Sequence, residues 1–157
     1  MTDTRPYFTL GAFAVIFDEA GRVLLSHRRD MDAWNLPGGG VETDELPTAS
    51  VIREVREETG LDCAVERLVG VYGKPGTTDM IFTFQCRITG GALGLTDESD
   101  ANAFFALDEI PSNTLLKHIE RIHDAVRARE SGCAPVFRSQ ASPRFASAKF
   151  NTEKPIH

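Results

Sequence analysis

Three glutamates in one short stretch carry the strongest chemical signal in this sequence. Glu54, Glu57 and Glu58 follow a glycine triplet at residues 38–40. In a helix that advances about 100° per residue, their side chains fall within roughly 100° of one another. Like charges on one helix face are unfavourable unless a positive charge lies nearby, and carboxylate oxygens are the ligands that hard divalent cations prefer. The pattern therefore predicts a cation site on one helix face.

The helix that must carry these glutamates has recognisable ends. Pro47 suits a first helical turn, and Gly60 suits the position just after a helix ends. On the side opposite the glutamates the sequence places Ala49, Ile52, Val55 and Thr59. These four residues are expected to face the core.

The residues around the glutamates resemble the Nudix box. Gly39 is followed after five residues by Glu45, and after seven more by Arg53-Glu54-Val55-Arg56-Glu57-Glu58-Thr59-Gly60-Leu61. Members of this family, which includes MutT-like proteins, hydrolyse a nucleoside diphosphate linked to another group X by attack of water on the pyrophosphate. The resemblance implies an α/β fold, specifically an α/β/α sandwich with a mixed sheet.

The resemblance also implies a metal site. Mg²⁺, with Mn²⁺ as an alternative, is expected to bind Glu54, Glu57, Glu58 and the backbone carbonyl of Gly38. A divalent cation offsets the charge on the phosphate oxygens and lowers the pKa of a bound water. Magnesium keeps several of its own waters, so a few carboxylates are enough to hold it.

Other positions of the box are expected to support the site. The resemblance implies that Arg53 orients the glutamates and that Glu45 secures the geometry between the glycine loop and the helix. Gly39 and Gly60 are expected to be structural. Two positions depart from the common pattern: Asp44 stands where glycine is frequent, and Leu46 cannot cap the first helical turn as Ser or Thr would.

The general base has more than one candidate. Glu58 is the first choice within the box, because some family members use a box glutamate. Other members use a carboxylate from a later loop, and here Asp97, Glu98 and Asp100 lie in an acidic loop. Glu98 is the candidate from that loop, with a solvated surface acid as the alternative for each of the three.

Residues outside the box bear on the substrate. Arg28 and Arg29 are candidates for contacts with phosphate or ribose, or else are exposed arginines at a strand end. Trp34 is a candidate for stacking on a base, with a half-buried core residue as the alternative. Pro75 lies near the position of a proline that is common in family members acting on ADP-ribose. The sequence therefore favours an ADP-ribose or nucleotide-sugar substrate.

Two alternative functions remain open from the sequence. One is a nucleoside triphosphate pyrophosphohydrolase acting on oxidised nucleotides such as 8-oxo-dGTP. The other is a nucleotide-sensing Nudix domain without catalysis, although such domains typically lose box glutamates and here none is missing.

The rest of the chain predicts the elements that position the box. Strands are expected at residues 8–17, 22–28, 65–72, 80–89 and 103–107, with a second helix at 114–129. The first two strands are expected to form a hairpin. The Nudix domain is expected to span residues 1–130, followed by an irregular or flexible extension at 131–157.

Composition narrows the class of partner. With a net charge of −6 and no basic stripe, the chain is not expected to bind nucleic acid. Three widely spaced cysteines, Cys63, Cys86 and Cys133, suggest neither a disulfide framework nor a zinc site. The sequence shows no secretory leader or membrane-spanning run, so we expect a cytoplasmic monomer or homodimer that binds a small nucleotide.

Overall fold

The computed structural model describes residues 2–94 and 99–146 of the 157-residue chain, apart from the side chain of Asp100. Within these residues the elements follow the order β1 (Thr9–Ile16), β2 (Val23–Arg28), β3 (Trp34–Asn35), β4 (Gly38–Gly40), α1 (Pro47–Thr59), β5 (Leu61–Gly73), β6 (Asp79–Gly91), β7 (Ser99–Phe105), α2 (Leu116–Ser131) and β8 (Val136–Ser139). Neither helix in this part of the chain has the length and apolar character needed to cross a membrane.

The strands form two sheets. The larger sheet has the order β4-β1-β6-β5-β8, and the smaller one has the order β3-β2-β7. In the larger sheet β1 runs parallel to β6 and antiparallel to β4, so the sheet is mixed. The smaller sheet is antiparallel throughout.

Strand β1 separates two hydrophobic cores. Its residues Ala12, Ala14 and Ile16 pack in one core with Val51 and Val55 of α1. The intervening Val15 belongs to a second core, which includes Ile122 and Ala125 of α2. Because successive strand residues point to opposite faces, a strand buried on both sides brings one helix to each face of its sheet. This arrangement confirms the predicted α/β/α sandwich.

The predicted hairpin of the first two strands is wrong. Strand β1 is hydrogen-bonded to β4 and β6, whereas β2 is bonded to β3 and β7. The strands are joined only by an isolated bridge between Phe17 and Val23, the two residues that flank the turn. Both strands are buried on both faces, so apolar patterning could not show which neighbour each one would take.

The inward side of α1 also differs from the prediction. Its buried residues are Ser50, Val51, Glu54, Val55 and Thr59. Ile52 is exposed, and so is Ala49. The buried side is rotated because α1 packs against β4 as well as β1, which brings Glu54 against the glycine strand.

The segment after α2 is more ordered than predicted up to residue 146. Residues 136–139 are not irregular, because they form β8, which pairs parallel with β5 from Gly70 to Gly73. A Cβ atom on Gly70 would lie 2.8 Å from the carbonyl oxygen of Val136, so glycine permits this close approach. The part of the predicted extension from residue 147 onward lies outside the described residues.

Candidate active site

The glycine triplet forms a short strand, β4, rather than a loop. At Gly38 a Cβ atom would lie 2.3 Å from the carbonyl oxygen of Ala12, and the residue has φ +155°. At Gly39 a Cβ atom would lie 2.6 Å from Oε1 of Glu54. These two glycines therefore let the backbone approach β1 on one side and the Glu54 carboxylate on the other.

The start of α1 lacks a conventional cap. Leu46 occupies the cap position in an extended conformation, makes no side-chain capping bond and is exposed. Asp44, where the box commonly has glycine, is the one non-glycine residue of the described chain with a positive φ, at 64°. Aspartate tolerates this left-handed conformation better than most residues. Asp44 is therefore compatible with a left-handed residue in this turn.

Because Leu46 provides no side-chain cap, the loop before α1 is stabilised by Glu45 instead. Its Oε1 accepts a hydrogen bond from the backbone N–H of Glu42 at 3.1 Å, and its own N–H donates to the Glu42 carbonyl at 3.2 Å. Its carboxylate also receives two hydrogen bonds from Arg53, at 2.8 and 2.9 Å. These interactions, with the Arg53 bonds first in importance, lower the pKa of Glu45 to about 2.

Arg53 connects the loop, the glycine strand and the glutamates. Besides Glu45, its Nη2 donates to the carbonyl of Gly40 at 3.2 Å. Its Nη1 lies 3.1 Å from Oε1 of Glu54 and 3.1 Å from Oε2 of Glu57. The hydrogen bonds with Glu45 are the main reason that the pKa of Arg53 is raised, so the guanidinium stays charged.

The three glutamates have different surroundings. The side chain of Glu54 is 12% exposed, whereas that of Glu57 is 41% exposed. Glu58 accepts a hydrogen bond from the backbone N–H of Gly38 at 3.2 Å. Thus one guanidinium contacts two of the carboxylates, and the backbone of β4 contacts the third.

The donor chemistry of this group fits magnesium, although the protein does not form a closed cage. The expected ligands are oxygen atoms only, which is the set that Mg²⁺ prefers. Among the described residues, no group of three or more His, Cys, Asp or Glu is arranged to hold a metal ion without rearrangement. A magnesium ion that keeps several waters does not require such a cage.

A cavity of about 390 Å³ opens beside Glu58. Its walls come from β1, β2, the segment after β2, β3, β4, the end of α1 and the start of β7. The lining residues are Phe13, Ser26, His27, Arg28, Arg29, Asp30, Asn35, Gly38, Gly39, Glu58 and Ser99. Its size is within the range of small-molecule sites.

Of the three predicted substrate residues, two line this cavity and one does not. Arg28 and Arg29 both line the cavity. Arg28 donates to Asp30 at 2.8 and 2.6 Å, which raises the pKa of Arg28, while Arg29 donates to the Ser99 carbonyl at 3.1 Å. Trp34 is half-buried and packs edge-on against Phe105 and His27, with ring centroids 5.0 and 5.1 Å apart. Trp34 is not among the residues that line the cavity, although His27 is. This is the core position given as the alternative for Trp34.

The acidic loop lies mostly outside the described residues. Asp97 and Glu98 fall in the gap at residues 95–98, and the side chain of Asp100 is also undescribed. Ser99, at the end of this gap, lines the cavity. The Glu98 candidate therefore stays a prediction.

Sequence reasoning missed a polar group that holds the end of α1. The carbonyl of Glu58 accepts hydrogen bonds from Ser99 Oγ at 2.7 Å and from Asn102 Nδ2 at 2.9 Å. Asn102 Oδ1 in turn accepts from Ser26 Oγ at 2.6 Å. Asn102 directly precedes the strand predicted at residues 103–107, and a polar residue in that position does not reveal a partner 44 residues away.

The fold and this site define a class of protein, the Nudix hydrolases. Residues 7–126 match the family described as NUDIX domain, and the chain belongs to that family. It is accordingly an enzyme of the pyrophosphohydrolase class.

Several relatives carry more specific names. A MutT-like protein of Streptomyces ambofaciens is 34% identical over 134 residues, covering 85% of this chain and 84% of that protein. A putative 8-oxo-dGTP diphosphatase of Bacillus subtilis is 39% identical over 84 residues, covering 54% and 56%. An ADP-ribose pyrophosphatase of Methanocaldococcus jannaschii is 32% identical over 119 residues, covering 71% and 70%. Among solved structures, a UDP-X diphosphatase superposes with a TM-score of 0.77 at 25% identity, covering 87% of this chain and 70% of that one.

Proposed function

We propose that this protein hydrolyses the pyrophosphate bond of a nucleoside diphosphate linked to another group X, using Mg²⁺ and water. The observation that carries the proposal is the contact of Arg53 with Glu45, Glu54 and Glu57, next to a cavity lined by Glu58 and β4. This contact supports the proposal because it restrains two glutamates of a complete Nudix box beside a cavity of the size of small-molecule sites.

The residues of the site divide into metal ligands and positioning residues in the proposed reaction. Glu54, Glu57, Glu58 and the carbonyl of Gly38 would hold the cation, which when bound supplies positive charge to the phosphate oxygens and acidifies water. Arg53 positions Glu54 and Glu57 through one nitrogen, while Glu45 fixes the direction of the guanidinium. A charged, planar guanidinium held in this way restricts the rotamers of both glutamates.

The proton of the attacking water needs an acceptor. Glu58 is the proposed base within the box, because its carboxylate lies at the cavity wall and its backbone is held by Ser99 and Asn102. Glu98 is the alternative acceptor. The Glu98→Gln variant distinguishes them, because Glu58→Gln would also remove a proposed metal ligand. Loss of the acidic limb of the pH–rate profile in Glu98→Gln would assign the base to Glu98, and a retained limb would favour Glu58.

We propose an ADP-ribose or nucleotide-sugar type of substrate. Arg28 and Arg29 place two guanidinium groups at the cavity wall, where they can contact phosphate or ribose oxygens. The names of the ADP-ribose pyrophosphatase relative and of the UDP-X diphosphatase structure support this class. The second candidate, an oxidised nucleoside triphosphate, is supported by the name of the 8-oxo-dGTP diphosphatase relative.

A panel assay tests the reaction and its substrate. Release of nucleoside monophosphate would be measured from ADP-ribose, UDP-sugars, dinucleoside polyphosphates and 8-oxo-dGTP, with Mg²⁺ or Mn²⁺. We expect the highest kcat/KM for the nucleoside diphosphate–X compounds. Preferred turnover of 8-oxo-dGTP would overturn the substrate class, and nucleotide binding without any turnover would instead indicate a sensing domain.

A pair of variants links the activity to the box. Glu57→Gln is expected to lower kcat by at least about 100-fold, because a neutral amide is a poor ligand for a hard cation. Glu130→Gln removes one negative charge from the exposed end of α2 and is the matched control. A fully active Glu57→Gln enzyme would contradict the metal-binding role.

A further inference from the structure

Two adjoining cavities of about 190 and 220 Å³ lie next to the 390 Å³ cavity beside Glu58, which is called the catalytic cavity from here on. Lys74, Lys117 and His118 line both of them. Phe13 lines the first of these cavities and also the catalytic cavity, so one side chain forms a common wall. The two adjoining cavities are called the basic cavity below.

The lining of the basic cavity carries more positively charged than negatively charged side chains. Among the described lining residues, Lys74, Lys117, Arg121 and Arg144 are cationic and Asp79 is acidic. Glu120 lies just behind the lining, where its Oε1 accepts hydrogen bonds from Gln140 and Ser142. This excess contrasts with the net charge of −6 of the whole chain. Within residues 2–94 and 99–146, the side chains of these four basic residues form no ion pair. The carboxylates of Asp79 and Glu120 interact electrostatically with Lys117, but four cations exceed these two anions. Such an excess of positive charge favours binding of an anion.

Arg121 is the buried member of this group. It is 5% exposed, and it donates two hydrogen bonds to Oε1 of Gln140, at 3.1 and 2.9 Å. Its guanidinium lies over the rings of Phe13 and Tyr72, at 5.5 and 5.2 Å. Burial lowers the pKa of Arg121 to about 10. The amide and the two rings hold the guanidinium in position but do not neutralise its charge.

Two neighbours of Arg121, Lys117 and His118, also favour binding of an anion. Burial, and then repulsion by Lys74 and Arg121, lowers the pKa of Lys117. An anion between these groups would relieve the repulsion. His118 accepts a hydrogen bond at Nδ1 from the N–H of Leu36 at 3.1 Å, and burial lowers its pKa. The imidazole is therefore neutral with its proton on Nε2, which adds an uncharged donor to the lining.

We propose that the basic cavity binds a phosphate group of the substrate that is separate from the scissile pyrophosphate. The assignment to the substrate rests on the proposed function, because it takes the catalytic cavity as the site of the pyrophosphate. A phosphomonoester carries about two negative charges at pH 7 and several acceptor oxygens. It matches the excess of cations better than a single carboxylate does. The enzyme should accordingly prefer nucleoside diphosphate–X compounds that carry an additional phosphate.

Three matched nucleotides test this proposal. ADP-ribose has no additional phosphate, ADP-ribose 2′-phosphate carries one on the nucleoside, and ADP-ribose 1″-phosphate carries one on X. We expect at least one phosphorylated compound to bind about tenfold or more tightly than ADP-ribose in calorimetry without divalent cations. Lys117→Gln and Arg144→Gln should each remove most of this preference and leave ADP-ribose binding unchanged.

Arg87→Gln is the control variant, because it removes one exposed positive charge of β6 outside the basic cavity. It should retain the full preference. Equal binding of all three nucleotides by the native protein would overturn the proposal, and so would an equal loss for all three in Lys117→Gln. Binding of inorganic phosphate that depends on Lys117, without a preference among the nucleotides, would overturn the assignment to the substrate.

Turnover of the same compounds with Mg²⁺ separates the two proposals. If no compound is hydrolysed but a phosphorylated one binds preferentially through Lys117, the anion site stands and the proposed reaction fails. If all three are hydrolysed with equal kcat/KM and bind equally, the reaction stands and the anion site fails.

Discussion

The guanidinium of Arg53 meets the carboxylate of Glu45 through two parallel hydrogen bonds, from Nε at 2.8 Å and from Nη2 at 2.9 Å. This side-on pairing joins the loop before α1 to the second turn of the helix. It leaves Nη1 directed at Glu54 and Glu57. A contact between two residues outside the proposed ligand set thereby helps to position two of the proposed metal ligands, Glu54 and Glu57.

The shape of the arginine should matter as much as its charge. Arg53→Lys keeps the positive charge but cannot contact Glu45 through two nitrogens and the other glutamates at the same time. We expect kcat to fall by about 10- to 100-fold, the range typical of residues that orient metal ligands, with the fold retained. Steady-state kinetics and circular dichroism would check this. A lysine variant with native kcat would show that charge alone is sufficient.

The ion pair of Glu45 predicts a specific dependence of stability on pH. The pKa of this carboxyl is lowered from 4.5 to about 2 in the folded protein, mainly by Arg53. A lowered pKa in the folded state means that the pair stabilises the protein fully above about pH 4.5. This stabilisation is lost as the pH falls towards about 2.

Urea unfolding of native protein and Glu45→Gln at several pH values would measure this effect. We expect the difference in free energy of unfolding to be largest near pH 7 and to shrink below pH 4.5. A difference that stays constant down to pH 3 would contradict the assignment to ionisation of Glu45.

Two adjacent glycines of β4 should respond differently to the same substitution. Gly39→Ala places a methyl group 2.6 Å from Oε1 of Glu54, so the carboxylate or the strand must move. We expect a loss of about 1–3 kcal/mol in the free energy of unfolding, the usual range for overpacking, together with lower activity. Gly40→Ala is the control, because nothing lies within 4 Å of its added Cβ. Equal effects of both variants would refute this account.

The amide of Asn102 should be needed at the end of α1. In Asn102→Asp the side chain keeps its shape but loses the Nδ2 donor, so the Glu58 carbonyl loses one of its hydrogen bonds. We expect a loss of about 1–3 kcal/mol in stability, and a lower kcat because Glu58 is less well positioned. Thermal unfolding and kinetics would be measured. Ser131→Ala, which removes an exposed hydroxyl at the end of α2, is expected to be nearly neutral.

Local sequence was sufficient to predict the box and the class of fold. The helix begins at Pro47 and ends before Gly60 as predicted, because proline suits a first turn and Gly60 adopts φ +80° in the cap. The contact of Arg53 with Glu57, one helical turn apart, also follows from helical geometry. Asp44 and Leu46 were identified as departures, and the structure shows a left-handed aspartate and an uncapped first turn.

Contacts between distant parts of the chain could not be predicted in this way. Apolar patterning shows that β1 and β2 are buried, but not that they belong to different sheets, because strand pairing depends on the neighbours available. The strand β8 is four residues long and mostly exposed, so its sequence resembles that of a loop.

The helix, its three glutamates and the arginine among them could be assigned from the sequence alone, since these residues lie within one or two helical turns of one another. The hydrogen bond from Asn102 to the carbonyl of Glu58, and the burial of Arg121 between Phe13 and Tyr72, are seen only in the folded chain. These contacts join residues 44, 108 and 49 positions apart, for which helical or strand periodicity carries no information. The chemistry of the site is therefore encoded locally, while the surroundings that would select its substrate depend on how the chain packs.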